Sequence, residues 1–307
     1  MTLAIGQSIL ILICKYHLTN IRTLFITEVI MYKILKKQIL NSTVKLIEVE
    51  APFIAKKTQP GQFIILRIDE QGERVPFTVA DFDREKGTVS IIFQEVGKTT
   101  KQLGTLEAGD ELLDFVGPLG IATHLDNYKN VAVIGGGLGS AIAYPQAKRL
   151  HELGAHVDII AGFRTKELVI LEDEMKACSD RLFVCTDDGT YGQKGFVTNV
   201  LEGLIKDGAD YDCVIAIGPL PMMKFVSKLT KEYNIKTIVS MNPIMIDGTG
   251  MCGGCRVTVG GKIKFACVDG PDFDGHEVDF DELMKRNSAY KETETQSMNH
   301  YCKLNNI

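Results

Sequence analysis

The stretch Val131-Ala-Val-Ile134-Gly135-Gly-Gly137-Leu-Gly139-Ser140 runs from an apolar segment straight into a glycine-rich loop. Read as strand, loop and helix start, it is a G-x-G-x-x-S form of the dinucleotide-binding turn. Glycine permits the tight turn and lets backbone approach a pyrophosphate, while a helix N-terminus offers unpaired N–H groups and a favourable dipole. A tight strand-to-helix turn with no ligand has the same composition, so the neighbouring elements must decide. Downstream, short apolar runs at residues 157–161, 182–185, Cys213–Ile217 and 237–239 alternate with amphipathic segments such as 144–154 and 221–233. That alternation predicts a parallel α/β sheet.

Ligands of an open α/β sheet sit beyond the carboxyl ends of its strands. The loops there are Gly162-Phe-Arg164-Thr, Thr186-Asp187-Asp188-Gly189 and Gly218-Pro219. They are expected to line one crevice with Gly135, Gly137 and Gly139. Arg164 suits a phosphate or a loop end, which leaves NAD versus NADP open. Asp187 and Asp188 suit a cofactor contact or a capped turn equally.

Upstream, residues 32–126 read as β structure. Candidate strands at 33–39, Val44–Glu50, 62–68, 77–82, Thr88–Gln94 and 111–116 are separated by turn pairs such as Pro60-Gly61 and Lys86-Gly87, with one short helix at 99–106. Many short strands with little helix predict a small antiparallel barrel. Within it, Arg74-Val-Pro76-Phe77-Thr78 offers a charge and polar groups to a pyrophosphate and a flavin ring. Gly97-Lys-Thr99-Thr100 places hydroxyls and free N–H groups at a helix start. On the residues alone, Arg74 is also readable as a solvated side chain and Thr99 as an ordinary cap.

Past the α/β segment comes Met245-Ile-Asp247-Gly-Thr-Gly-Met-Cys252-Gly-Gly-Cys255, followed by Cys267. The ligand spacing is D-x4-C-x2-C-x11-C, the plant-type [2Fe–2S] pattern with aspartate in the first place. Thiolates are soft ligands suited to iron in a cluster, and the interleaved glycines allow one loop to wrap it. Two other readings use the same residues. A zinc knuckle would employ the Cys-x2-Cys pair with His276, and Asp247-Gly would be a common turn pair. A hairpin follows at Arg256–Val259 and 262–267, turning at Gly260-Gly261. From Lys285 onward the chain is polar and reads as a helix with a disordered end.

The domain scheme is then an extension at 1–30, a barrel at 31–127, an α/β domain at 128–242, a cluster module at 243–285 and a polar tail at 286–307. Apolar residues make up 45 % of the 307, enough for packed cores. A net charge of −5 gives no basic footprint for nucleic acid. The apolar run from Leu3 to Cys14 is too short to span a bilayer and lacks the flanks of a signal peptide; Met31 is the expected natural start. Eight cysteines do not form a secreted disulfide pattern. Cys178, Cys185 and Cys213 sit in apolar contexts as buried thiols, and a reducing cytoplasm is the expected setting.

In this order of parts, with R-x-P-x-T in the barrel, the chain resembles the ferredoxin reductase-like flavoproteins over residues 31 to 285. It is most similar to the small subunits that end in a [2Fe–2S] module. These include the electron-transfer subunit of dihydroorotate dehydrogenase, which carries four cysteines in the loop, and the small subunit of NADH-dependent ferredoxin:NADP⁺ oxidoreductase, which resembles this chain in Asp247, Cys252, Cys255 and Cys267. The resemblance implies FAD held by Arg74, Pro76, Phe77 and Thr78, with Gly97, Thr99 and Thr100 at its pyrophosphate. It implies NAD(H) on Gly135, Gly137, Gly139, Asp187, Asp188 and Gly218, and a cluster on the four loop ligands. It further implies electron transfer without a protein acid or base, in a heterodimer with a large flavo-iron–sulfur subunit that bifurcates electrons and reaches ferredoxin indirectly. Many members carry Cys before the Gly-Pro near nicotinamide; here it is Ile217. A non-catalytic flavin- or zinc-binding module is the remaining alternative.

Overall fold

A computed structural model describes residues 31–305; the expectations for residues 1–30 lie outside them. Strands β1 (Tyr32–Ile39), β2 (Val44–Glu50), β3 (Phe63–Arg67), β4 (Val75–Asp83), β5 (Thr88–Gln94), β6 (Glu111–Leu112) and β7 (Asp114–Leu119) form one sheet, ordered β6-β1-β2-β5-β4-β3-β7. All its pairings are antiparallel. Its two edge strands are separated in sequence by Leu113 alone, whose N–H donates to Ile68 O at 3.1 Å. The sheet therefore curls until its edges nearly meet, which is the expected barrel. Ile47, Ile64, Leu66, Ile91, Phe93 and Phe115 fill the interior, joined by Leu103 from the helix Lys98–Thr105. The single strand expected at 111–116 is thus two strands broken at Leu113, and a short helix, Pro52–Ala55, was not anticipated.

The second sheet is built from β8 (Asn130–Gly136), β9 (His156–Phe163), β10 (Arg181–Thr186), β11 (Gln193–Lys194), β12 (Cys213–Ile217) and β13 (Lys236–Ser240), all parallel. After it come the hairpin β14 (Arg256–Val259) and β15 (Lys262–Phe265), then β16 (Asp272–Asp274), which returns antiparallel along β13. The order β11-β10-β9-β8-β12-β13-β16 reverses at β8, so the crevice of a doubly wound sheet opens there.

Both faces of this sheet are covered, which is why its strands read as unbroken apolar runs. Val131 and Val133 face the helix Gly139–Glu152 and, beyond it, Val44, Ala80 and Ile92 of the barrel. Ala132 and Ile134 face the helices Val197–Lys206 and Leu220–Glu232. Met245, Cys255, Val257 and Cys267 belong to that second core, together with Phe63 and Ile65 of β3. The cysteine module is therefore keyed into both larger domains rather than hanging from them.

Two expectations need correction. The helix expected at 144–154 begins at Gly139, because its first turn is fixed by packing on β12 rather than by an apolar stripe. The expected tail helix is present, but it begins earlier, at Phe280–Asn287, and a second helix, Lys291–Asn305, occupies the stretch where a disordered end was expected. The last helix packs on the helix Lys98–Thr105, with Lys101 Nζ 3.8 Å from Cys302 Sγ.

Candidate functional site

A cleft of about 1340 Å³ runs between barrel and α/β sheet, lined by both. That exceeds the usual single-ligand range of roughly 300–1,000 Å³. On the sheet side, the helix Gly139–Glu152 starts directly after β8. A Cβ on Gly139 would lie 2.2 Å from Ile217 O, so only glycine lets this helix start against the end of β12. Gly137 has φ +57° and its N–H donates to Gly162 O at 2.8 Å, tying the loop to β9. Ser140 Oγ is buried there with no hydrogen-bond partner among the described residues. Gly137, Gly139, Asp187 and Gly218 all line the cleft. Gly135 stands behind it, where a Cβ would lie 2.4 Å from Ser140 Cα.

On the barrel side, Pro76, Phe77 and Thr78 of β4 line the same cleft, as does Thr100. Thr100 Oγ1 accepts from the N–H groups of Val96 and Gly97, each at 3.0 Å, and so shapes the N-terminus of the helix Lys98–Thr105. Gly97 is the extended residue preceding that helix. Thr99 is buried and its hydroxyl donates to Glu73 Oε2 at 2.6 Å. Arg74 Nη1 donates to Asp114 Oδ2 at 3.2 Å, an acceptor it shares with Arg67 Nε at 2.6 Å. Arg74, Gly97, Thr99, Gly135 and Asp188 are thus next to the walls without lining them. Asp188 accepts from Thr190 N at 3.0 Å and from Thr190 Oγ1 at 2.8 Å, which lowers its pKa below the ordinary value. Those bonds are what its reading as a turn cap predicts.

Sequence reasoning missed other parts of the wall. Phe196 and Phe225 also line the cleft and are 64 % and 59 % exposed, the first just before the helix Val197–Lys206 and the second on the helix Leu220–Glu232. No local signal marks them. Met241, Asn242 and Pro243 also line the cleft. They follow β13 immediately, so the rule that ligands gather at strand carboxyl ends could have found them.

The cysteine loop sits against the barrel. A Cβ on Gly248, which has φ +82°, would meet Leu119 Cδ1 at 2.9 Å and Ile65 Cγ1 at 3.0 Å. Cys255 and Cys267 are buried with their sulfurs 3.2 Å apart. Burial is the main cause that pushes the Cys267 thiol up to about 12, with Cys255 adding to it. Cys252 is exposed, and the Gly254 N–H donating to its sulfur at 3.5 Å lowers its pKa. The Asp247 carboxylate accepts from Thr249 Oγ1, from Thr249 N at 3.0 Å and from Met251 N at 3.4 Å. Those bonds, and then the Arg74 charge, lower its pKa. The loop so arranged pairs two thiols, with the third thiol and the carboxylate on its exposed part. Among the described residues no three thiol, carboxylate or imidazole groups converge on one point. The donor set still fits a binuclear iron centre chemically: Asp247, Cys252 and Cys255 come from one glycine-rich loop, and Cys267 from the short helix Ala266–Asp269 that follows the hairpin. His276 does not join it: Nε2 lies 3.0 Å from Thr230 Oγ1, on the helix Leu220–Glu232. The expected alternative of zinc completed by His276 therefore loses its imidazole.

The remaining buried cysteines behave as expected. Burial pushes the thiols of Cys178 and Cys185 up to about 11 and that of Cys213 up to about 12, which suppresses the thiolate. Among the described residues no helix is long and apolar enough to cross a membrane.

Residues 242–279 match the iron–sulfur cluster binding domain of dihydroorotate dehydrogenase B. A protein of Clostridium beijerinckii known only as an uncharacterized protein in the adh 3' region is 53 % identical over 86 % of this chain and 92 % of its own length. The dihydroorotate dehydrogenase B (NAD(+)) electron transfer subunit homolog of Thermotoga maritima is 48 % identical over 83 % of this chain and 90 % of its own. Among solved structures, a chain of the NADH-dependent reduced ferredoxin-NADP oxidoreductase, studied for flavin-based electron bifurcation, superposes with a TM-score of 0.84 at 46 % identity, covering 89 % of this chain and 98 % of that one. The ferredoxin reductase of carbazole 1,9a-dioxygenase shares the fold at 16 % identity and a TM-score of 0.56. With barrel, glycine loop and cysteine module in place, the chain belongs to the family of dihydroorotate dehydrogenase B electron-transfer subunits and their homologues, within the ferredoxin reductase-like fold.

Proposed function

We propose that this chain is the electron-transfer subunit of an NAD(H)-linked flavin iron–sulfur oxidoreductase of the NADH-dependent reduced ferredoxin:NADP⁺ oxidoreductase type. One observation carries this: a single cleft is walled by Phe77 and Thr78 of the barrel and by Gly137 and Gly139 of the α/β domain, and the cysteine loop is seated on the barrel strands beside it. When bound, FAD exchanges an electron pair as hydride with nicotinamide and single electrons with a [2Fe–2S] cluster, so it belongs between them.

The chain's own residues bind, orient and shield. Pro76, Phe77 and Thr78 would form the flavin wall, and Thr100 fixes a helix start whose N–H groups would suit the cofactor's phosphates. Arg74, held by Asp114, adds positive charge at the edge of that wall. Gly137, Gly139 and Gly218 would let backbone approach the NAD(H) pyrophosphate, with Gly135 keeping the turn tight and Asp187 on the same cleft wall. Ile217 closes the nicotinamide end with an apolar side chain that is 3 % exposed. Asp247, Cys252, Cys255 and Cys267 would hold the cluster, and Asp247 would have to give up its contacts to Thr249 and Met251 to do so. No side chain has to accept or donate a proton for direct hydride transfer.

The domain scheme that suits these roles is a barrel at 31–127, an α/β domain at 128–242 and a cluster module from 243, extended past 285 to Asn287. The partner is a large flavo-iron–sulfur subunit reached through the cluster, with ferredoxin served indirectly. The buried, protonated thiols suit a reducing cytoplasm. A second reading rests on the relatives' names: an electron-transfer subunit of dihydroorotate dehydrogenase. Affinity capture of the native complex separates the two. A large iron–sulfur flavoprotein as partner supports the first; an FMN barrel enzyme that oxidises dihydroorotate replaces it with the second.

A further inference from the structure

The helix Phe280–Asn287 lies where the tail was expected to begin, yet its last turn holds the cysteine loop. Arg286 Nη2 lies 3.4 Å from Gly254 O, the carbonyl in the two-glycine turn between Cys252 and Cys255. Its neighbour Asn287 donates Nδ2–H to Asn242 O at 3.2 Å, on the segment that enters the loop and lines the cleft. The helix cannot drift from this position. Asp279 caps its start by accepting from Glu282 N at 2.9 Å, and Phe280 and Leu283 are buried in the shared core. Asp281 meets Lys224 Nζ at 2.7 Å on the helix Leu220–Glu232.

Arg286 is half-buried, and its charge points at a peptide group of the loop rather than at a carboxylate. The far end of that peptide is the N–H of Cys255. A cation at the carbonyl polarises the peptide and makes this N–H a stronger donor. Hydrogen bonding to the sulfurs and net charge are two main determinants of cluster potential. Both effects favour the more negative, reduced state.

Resting on the proposed [2Fe–2S] site, we infer that Arg286 is a positioning residue that raises the cluster's reduction potential through the Gly254–Cys255 peptide. The test is an anaerobic redox titration of the purified full chain, followed by the cluster's EPR signal, in wild type, Arg286→Lys and Arg286→Gln. Arg286→Gln should assemble its iron normally and become harder to reduce by about tenfold in the equilibrium, which is about 59 mV for one electron. Arg286→Lys keeps the charge and should stay near wild type. An unchanged potential in Arg286→Gln overturns the inference. Equal shifts in both variants also overturn it, since charge would not be the cause. Loss of iron from a folded Arg286→Gln would make the residue a support for the loop and overturn it too, while the wild-type signal would leave the proposed function standing. A wild-type chain with no iron–sulfur signal removes both together.

Discussion

Gly139→Ala is the sharpest perturbation of the cleft. The added Cβ would lie 2.2 Å from Ile217 O and 2.7 Å from Gly218 Cα. A carbon–oxygen contact normally sits at about 3.3–3.6 Å, so helix and strand must separate by about 1 Å. The atoms met are backbone and cannot rotate away. Overpacking typically costs about 1–3 kcal/mol, and the immobility of these atoms points to the upper end. Alanine's better helix propensity returns less than about 1 kcal/mol. The net expectation is a loss of about 2 kcal/mol in urea unfolding of the α/β domain. The same displacement moves the N–H groups at the helix start away from the pyrophosphate, so NADH should bind at least about tenfold more weakly, or about 1.4 kcal/mol. Gly137→Ala is the comparison: a Cβ there meets nothing within 4 Å, and the cost is the positive φ of +57°, worth about 1–2 kcal/mol. Unfolding curves and NADH titration by calorimetry read both. A Gly139→Ala chain with wild-type stability and wild-type NADH affinity would refute the close approach and the role of this loop together.

Asp158, buried at the opposite end of the sheet, accepts from Arg181 Nε at 2.8 Å and from Tyr211 at 2.6 Å; Asp158→Ala should cost roughly 2 kcal/mol in chemical unfolding, because it strands the buried Tyr211 hydroxyl while the exposed Arg181 returns to water. Burial opposes its ionisation, but the bonds from Arg181 and Tyr211 outweigh burial and its pKa is lowered. Its stabilisation is therefore fully present above the ordinary carboxylate value of about 3.9 and is lost as pH falls through the lower folded value; the acid-unfolding profile of Asp158→Asn should be flatter there, and an unaltered profile would count against the assignment. His276→Ala should leave metal content unchanged in elemental analysis, since the ring is engaged with Thr230; loss of metal would bring the zinc reading back. Asp247→Cys should keep FAD and iron but alter the EPR signal, and an identical spectrum would remove Asp247 from the ligand set.

Much of the architecture was legible because strand alternation and turn residues act locally. Val44–Glu50, Thr88–Gln94 and Cys213–Ile217 have the expected bounds. What stayed hidden depends on distant partners. Thr99 was legible as a helix-start residue, yet its hydroxyl turns to Glu73 across the barrel. Arg74 is drawn to Asp114, a choice set by the β3–β7 pairing that brings that carboxylate near. The strand Asp272–Asp274 is three residues with two aspartates and reads as loop; only its pairing with β13 makes it a strand. Arg286 looked like tail because nothing in a polar stretch says which residue will face the cysteine loop. The four proposed ligands were proposed from spacing alone, since all lie within 21 residues, from Asp247 to Cys267.

Anaerobic purification followed by iron, acid-labile sulfide, zinc and flavin analysis, with a visible spectrum before and after NADH, bears most directly on electron transfer by this chain. Equal iron and sulfide, each about twice the flavin, with NADH bleaching the flavin band, is the expected result. Zinc in place of iron, or a colourless chain that NADH leaves unchanged, would contradict it.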